Sequence, residues 1–123
     1  MARPPRRALV AEDSLVARIF LERLLVRRGF LVESVTTARG LSEALGRGPW
    51  SLVLADVELP DAPRAEHLAA LAGTRSAPCV ALVRDHADEE RAAAAGLERH
   101  LRKPFESDHL DELLRSLGLG AAR

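Results

Sequence analysis

Five short apolar runs recur along the chain, at residues 8–11, 30–35, 50–57, 79–83 and 100–102, and each is followed by a stretch with helical spacing or turn residues. Strands that alternate with helices across short loops predict an α/β fold, a parallel sheet covered by helices on both faces. The fourth run, "CVALV", is apolar throughout, which implies burial on both faces of the sheet. Right-handed crossovers then carry the C-terminal end of every strand to one rim, where the ligand crevices of such folds form.

The helical stretches have recognisable ends. Ser14 suits an N-cap, and Leu15, Ile19, Phe20, Leu24 and Leu25 recur at helical spacing with Arg18, Glu22, Arg23 and Arg27 turned away, until Gly29 closes the helix. Shorter helices are predicted over 40–45, 64–71 and 88–95, the last closed by Gly96. Leu110, Leu113, Leu114 and Leu117 line one face of a terminal helix that Gly118 ends. The 123 residues fit one domain, with a core over about 7–118.

Composition excludes several functions. With 18 basic and 18 acidic residues the formal net charge is zero, so no strong footprint for direct nucleic-acid binding exists. The short basic cluster Arg3, Arg6 and Arg7 reads as a solvated start. Cys79 is alone and set among apolar residues, which fits a small buried hydrophobe in a reducing compartment. No signal-peptide core and no membrane-length apolar stretch occur, so a cytoplasmic location is expected.

The rim is where the chemistry gathers. The first strand ends at Glu12 and Asp13, the third at Asp56, the fourth at Val83 and the fifth beside Lys103. Of the 18 basic residues, Lys103 is the one lysine, which suggests that a compact ammonium is wanted there rather than a planar fork. Three crowded carboxylates raise one another's pKa unless a cation neutralises them, and such oxygen ligands suit Mg2+. A divalent cation and an ammonium flanking a carboxylate are what phosphoryl transfer to that carboxylate needs. Asp56 is the nucleophile that this arrangement selects.

"ALVAEDS" with its acidic pair, "LVLADVELP" with Asp56, and "HLRKPF" with Lys103 occur in the order and spacing of a response-regulator receiver domain, which the chain resembles over nearly its whole length. The resemblance implies a flavodoxin-like (βα)5 three-layer sandwich with strand order 2-1-3-4-5. It implies that Asp56 accepts a phosphoryl group and that Lys103 contacts it. Mg2+ would be held by Glu12, Asp13, Asp56 and the main-chain carbonyl of Glu58. A cis Lys103–Pro104 bond is frequent in the family. The implied donor is a sensor histidine kinase or histidine phosphotransfer protein, and the signal leaves through a downstream protein target. Such a module is no enzyme beyond its own phosphorylation and dephosphorylation.

Three positions depart from the family pattern. Val83 stands where the fourth strand usually ends in Thr or Ser, His100 where an aromatic switch residue is usual, and "PDAPRAE" replaces the usual loop after the third strand. Valine cannot donate the hydrogen bond that couples the phosphoryl group to the next loop. Arg84 lies within reach as a substitute, although a solvated loop arginine is the simpler reading. His100 reads as a half-buried packing residue or a pH-sensitive switch, and His67, His86 and His109 read as surface. The partner face implied by the resemblance includes Arg91, His100 and Arg102.

Two other functions compete with a phosphoacceptor. A pseudo-receiver would keep the fold and bind proteins without phosphorylation. A phosphatase of the haloacid-dehalogenase type would also place its nucleophile at a strand end with an acid two residues on, but Glu58 stands where Asp is expected and the chain is short.

Overall fold

A computed structural model describes residues 5–120. Among them, five parallel strands, β1 (Arg6–Ala11), β2 (Phe30–Val35), β3 (Leu52–Asp56), β4 (Cys79–Val83) and β5 (His100–Arg102), form one sheet in the order β2-β1-β3-β4-β5. Helices α1 (Leu15–Arg27), α2 (Ala38–Leu45), α3 (Leu68–Ala72), α4 (His86–Ala94) and α5 (Ser107–Ser116) alternate with the strands. This is the flavodoxin-like arrangement that the sequence implies.

Alternation along the central strands divides the interior in two. Leu9, Ala11, Val53, Ala55, Ala81 and Val83 pack with Leu41 and Ala44 of α2, Leu68 and Leu71 of α3 and Ala92 of α4. Ala8, Val10, Leu52, Leu54, Val80 and Leu82 pack with Leu21, Leu24 and Leu25 of α1 and Leu110 and Leu114 of α5. β3 is buried along its whole length, which explains its unbroken apolar sequence up to Asp56. No helix among the described residues is long and apolar enough to cross a membrane.

Several local expectations need correction. On α1 the inward residues are Leu21, Leu24 and Leu25, whereas Leu15, Val16, Ile19 and Phe20 are exposed. The helix carries more apolar residues than the stripe it buries, and most of the surplus lies on its first two turns, with Val26 exposed near its end; Phe20 tilts against Phe105 at 5.8 Å between ring centroids. Arg6 and Arg7 belong to β1 and are held rather than solvated. The Arg6 guanidinium donates to the carbonyls of Leu119 and Gly120, and that of Arg7 lies over the Trp50 ring at 4.3 Å. Arg3 lies outside the described residues. Trp50 and Val57 flank β3 as buried residues without extending it. α2 begins at Ala38 because the Thr37 hydroxyl accepts from Gly40 N–H, and α4 begins at His86 because Asp85 caps it.

The third helix starts at Leu68, later than the pattern 64–71 suggests. Pro63 disfavours helical geometry at the residue before it, and Ala65 adopts φ 61°, a left-handed conformation costly to any residue with a Cβ. Ala65→Gly removes that strain at the expense of a freer unfolded chain. The expected result is a gain of about 0.5–1 kcal/mol in urea unfolding, whereas Ala65→Val should lose stability.

Candidate functional site

β1 and β3 are adjacent, with Ala11 paired to Ala55, so Glu12 and Asp56 leave neighbouring strands side by side. β5 is two strands from β3, separated from it by β4. Lys103 follows β5, and its main-chain N–H donates to the carbonyl of Val83 at 2.7 Å, which fixes the base of its side chain at the rim. From there the ammonium reaches Oδ1 of Asp56 at 2.7 Å and Oε1 of Glu12 at 2.8 Å. Carboxylate oxygens of Glu12, Asp13 and Asp56 all lie within 4.8 Å of one another. Glu12 and Asp56 are buried, while Asp13 is exposed at the edge. The Lys103–Pro104 bond is cis.

The electrostatics are unequal. Burial pushes Asp56 up from the ordinary value of 3.8 to about 8, and a hydrogen bond shared with Glu12 adds to the rise against the pull of Lys103. Burial acts on Glu12 in the same sense, but hydrogen bonds from Asp56, Lys103 and the Ser14 N–H outweigh it and hold that carboxyl below its ordinary range. Burial alone would lower the Lys103 ammonium, yet its two carboxylate partners raise it. The two buried acids are therefore unequal, with the Asp56 carboxyl raised and the Glu12 carboxyl lowered. The donors are hard oxygens on a half-open cleft of about 170 Å³, and they fit a small divalent cation.

Glu58, in the loop after β3, lines the same cleft, with its carboxylate 3.2 Å from the Arg84 guanidinium and 3.5 Å from that of Arg91. Val83 is fully buried at the end of β4. His100 is no packing residue: its side chain is 41% exposed and its Nε2 lies 3.3 Å from Glu89 of α4. A short edge strand with alternating burial leaves it on the outer side. A larger hollow of about 540 Å³ between the C-terminal end of α1 and α5 contains Arg28, which is paired with Asp111, and it shares no lining residue with the rim cleft.

His67 corrects the expectation of a surface histidine. It is buried, and its Nε2–H donates to the main-chain carbonyl of Asp56 at 2.7 Å, while its Nδ1 has no partner. It thus ties the segment before α3 to the backbone of the acidic strand end. The signal for this was its position four residues before buried Leu71, on the same helical face. His86 and His109 are exposed as expected, and burial raises the Cys79 thiol to about 11, consistent with an inert side chain. The pairing of Arg84 with buried Asp88 was also missed, because an acid on a surface-patterned helix gives no sign of burial.

The model of the response regulator receiver domain matches residues 8–115. The chain belongs to this family. Among curated proteins, the receiver is similar to the KDP operon transcriptional regulatory protein KdpE of Escherichia coli, 34% identical over 110 residues that cover 87% of this chain and 48% of that protein. It is similar also to the transcriptional regulatory protein PdtaR of Mycobacterium tuberculosis, 32% identical over 97% of this chain and 58% of that protein. The receiver thus spans about half the length of the curated relatives it matches. Its fold matches the response regulator receiver protein of Burkholderia phymatum with a TM-score of 0.79 and 25% identity, covering 96% of this chain and 99% of that one. It also matches the receiver domain of a Pseudomonas aeruginosa sensor histidine kinase, whose structure has a magnesium ion coordinated in the active-site cleft. That match has a TM-score of 0.82 and 24% identity, and covers 94% of this chain and 99% of that one.

The raised Asp56 carboxyl has a signed consequence. A folded-state value above the ordinary one means that the stability this group contributes is complete below about 3.8 and is lost as pH rises through about 8. In metal-free buffer the wild type should lose stability relative to Asp56→Asn over that interval. Urea unfolding followed by the buried Trp50 reads the difference, and parallel curves at every pH would refute the upward shift of Asp56.

Proposed function

We infer that this receiver takes a phosphoryl group on Asp56 from the phosphohistidine of a sensor kinase or phosphotransfer protein and passes the signal on by protein contacts. The observation that carries the reading is the contact of Lys103 Nζ with Asp56 at 2.7 Å, inside a cleft that also holds Glu12 and Asp13. An Asp56 oxygen attacks phosphorus in line. The bond from phosphorus to the donor imidazole nitrogen breaks, its electron pair leaves with that nitrogen, and an acyl phosphate forms. Lys103 pairs with a phosphoryl oxygen as charge moves onto the transferred group. Mg2+ bound by Glu12, Asp13, Asp56 and the main-chain carbonyl of Glu58 would keep Asp56 ionised and neutralise the phosphoryl oxygens.

The donor must approach across the open side of the cleft, beside the exposed apolar residues Leu15, Val16, Ile19 and Phe20 of α1. An apolar surface next to a charged pocket suits docking of a helical partner. We place the protein in the cytoplasm, with residues 1–123 forming a single receiver domain.

A second reading, a phosphorylation-independent binding module, is favoured by one observation: fully buried Val83 offers no hydroxyl at the end of β4. Incubation with acetyl phosphate and Mg2+, read by intact mass, separates the two. The expected outcome is one phosphoryl adduct that needs Mg2+ and is lost in Asp56→Asn, formed about 100-fold more slowly in Lys103→Ala. A folded protein that binds Mg2+ and gains no adduct would establish the binding module instead.

A further inference from the structure

Val83 removes the hydroxyl at the end of β4, yet the next residue brings a stronger donor to the same cleft. Leu82 is the register partner of Asp56, and Arg84 lies two residues on. Its Cα therefore stands one strand spacing, about 4.8 Å, across from Asp56 and two rises of about 3.3 Å beyond it. That separation is within reach of an arginine side chain directed at a group attached to the Asp56 carboxylate. Arg84 lines the cleft together with Asp56, Glu58 and Lys103.

The guanidinium is now held elsewhere. Nε and Nη2 donate to the two oxygens of Asp88 at 2.8 and 3.1 Å, and Nη2 lies 3.2 Å from Glu58. Its partners do not depend on it alone. Asp88 is buried and also accepts from the Arg84 main-chain N–H at 2.9 Å, and Arg91 Nη1 stands 3.9 Å from Asp88 and 3.5 Å from Glu58. The Arg84 side chain is 54% exposed, so it has room to turn, and its departure leaves both acids with a cation beside them.

We propose that Arg84 takes the place of the missing hydroxyl: when Asp56 carries a phosphoryl group, the guanidinium leaves Asp88 and Glu58 and binds the phosphoryl oxygens. This inference rests on Asp56 being the acceptor. Phosphorylation concentrates negative charge in the cleft, and a planar fork of donors matches phosphoryl oxygens better than any other side chain. Because Asp88 is in the first turn of α4, the exchange changes the contacts of that helix and carries the signal to its surface. The element with two arrangements is the arginine itself, shared between an acid pair and the phosphoryl group.

The test uses beryllofluoride, which completes a phosphoryl-like tetrahedron on a carboxylate. Mg2+-saturated protein is titrated with it and the bound fluoride is read by 19F NMR. Arg84→Ala should weaken binding about tenfold to a hundredfold, the range for a lost hydrogen bond to a charged group. Arg84→Lys, which keeps the charge and loses the fork, should fall between. Asp88→Asn should tighten binding, because it releases the arginine from its resting partner. A purely structural arginine would give the opposite pattern for the last variant, since breaking the pair from either side would then loosen the same loop. Equal affinity in wild type and Arg84→Ala, or Asp88→Asn that is unchanged or weaker, overturns the proposal and leaves the acceptor reading intact. A wild type that takes up no beryllofluoride overturns both.

Discussion

The contact on which the site depends is a single ammonium placed between two buried carboxyls. Glu12 and Asp56 leave adjacent strands, and without Lys103 the burial of both would be costly beyond what the surrounding packing offsets. Lys103 reaches them from two strands away, over the end of β4, and its own backbone is held there by the carbonyl of Val83. The fifth strand is only three residues long, yet it sets the position of the one lysine in the chain. A shift of that strand by one residue would place the ammonium on the wrong side of the sheet.

The same contact explains why the acidic centre is asymmetric. Glu12 has a main-chain donor in Ser14 besides the lysine, whereas Asp56 at the end of a fully buried strand has little to set against its loss of hydration. Burial therefore raises the less supported Asp56 carboxyl, while Glu12 stays below its ordinary range. His67 reinforces the strand end from below by holding the Asp56 carbonyl, so Asp56 is fixed through its backbone as well as its side chain.

Around this centre the rim is lined with paired charges. Arg84, Asp88, Glu58 and Arg91 form one network across the loop after β3 and the start of α4, and His100 joins Glu89 on the same helix. Buried Val83 ends β4, His100 lies against Glu89, and the loop "PDAPRAE" accommodates a left-handed Ala65 and a late-starting α3.

The class of fold, the strand cores and the four rim residues are legible in the order of amino acids, because buried parallel strands must be apolar and charges at their ends stand out against them. Spacing and order alone identify Glu12, Asp13, Asp56 and Lys103, and the structure brings them together. Which face of α1 is buried is set by packing, since Leu15, Ile19 and Phe20 satisfy helical periodicity as well as Leu21 does and differ in that Leu21 packs into the core and they are exposed. Tertiary packing also decides that His67 turns inward, that His100 turns outward and that Arg6 and Arg7 are held against Phe30 and Trp50. The partners of these polar side chains lie far along the chain or across a helix start. Local pattern carries no information about them, because a polar side chain's burial is set by the partner that satisfies it.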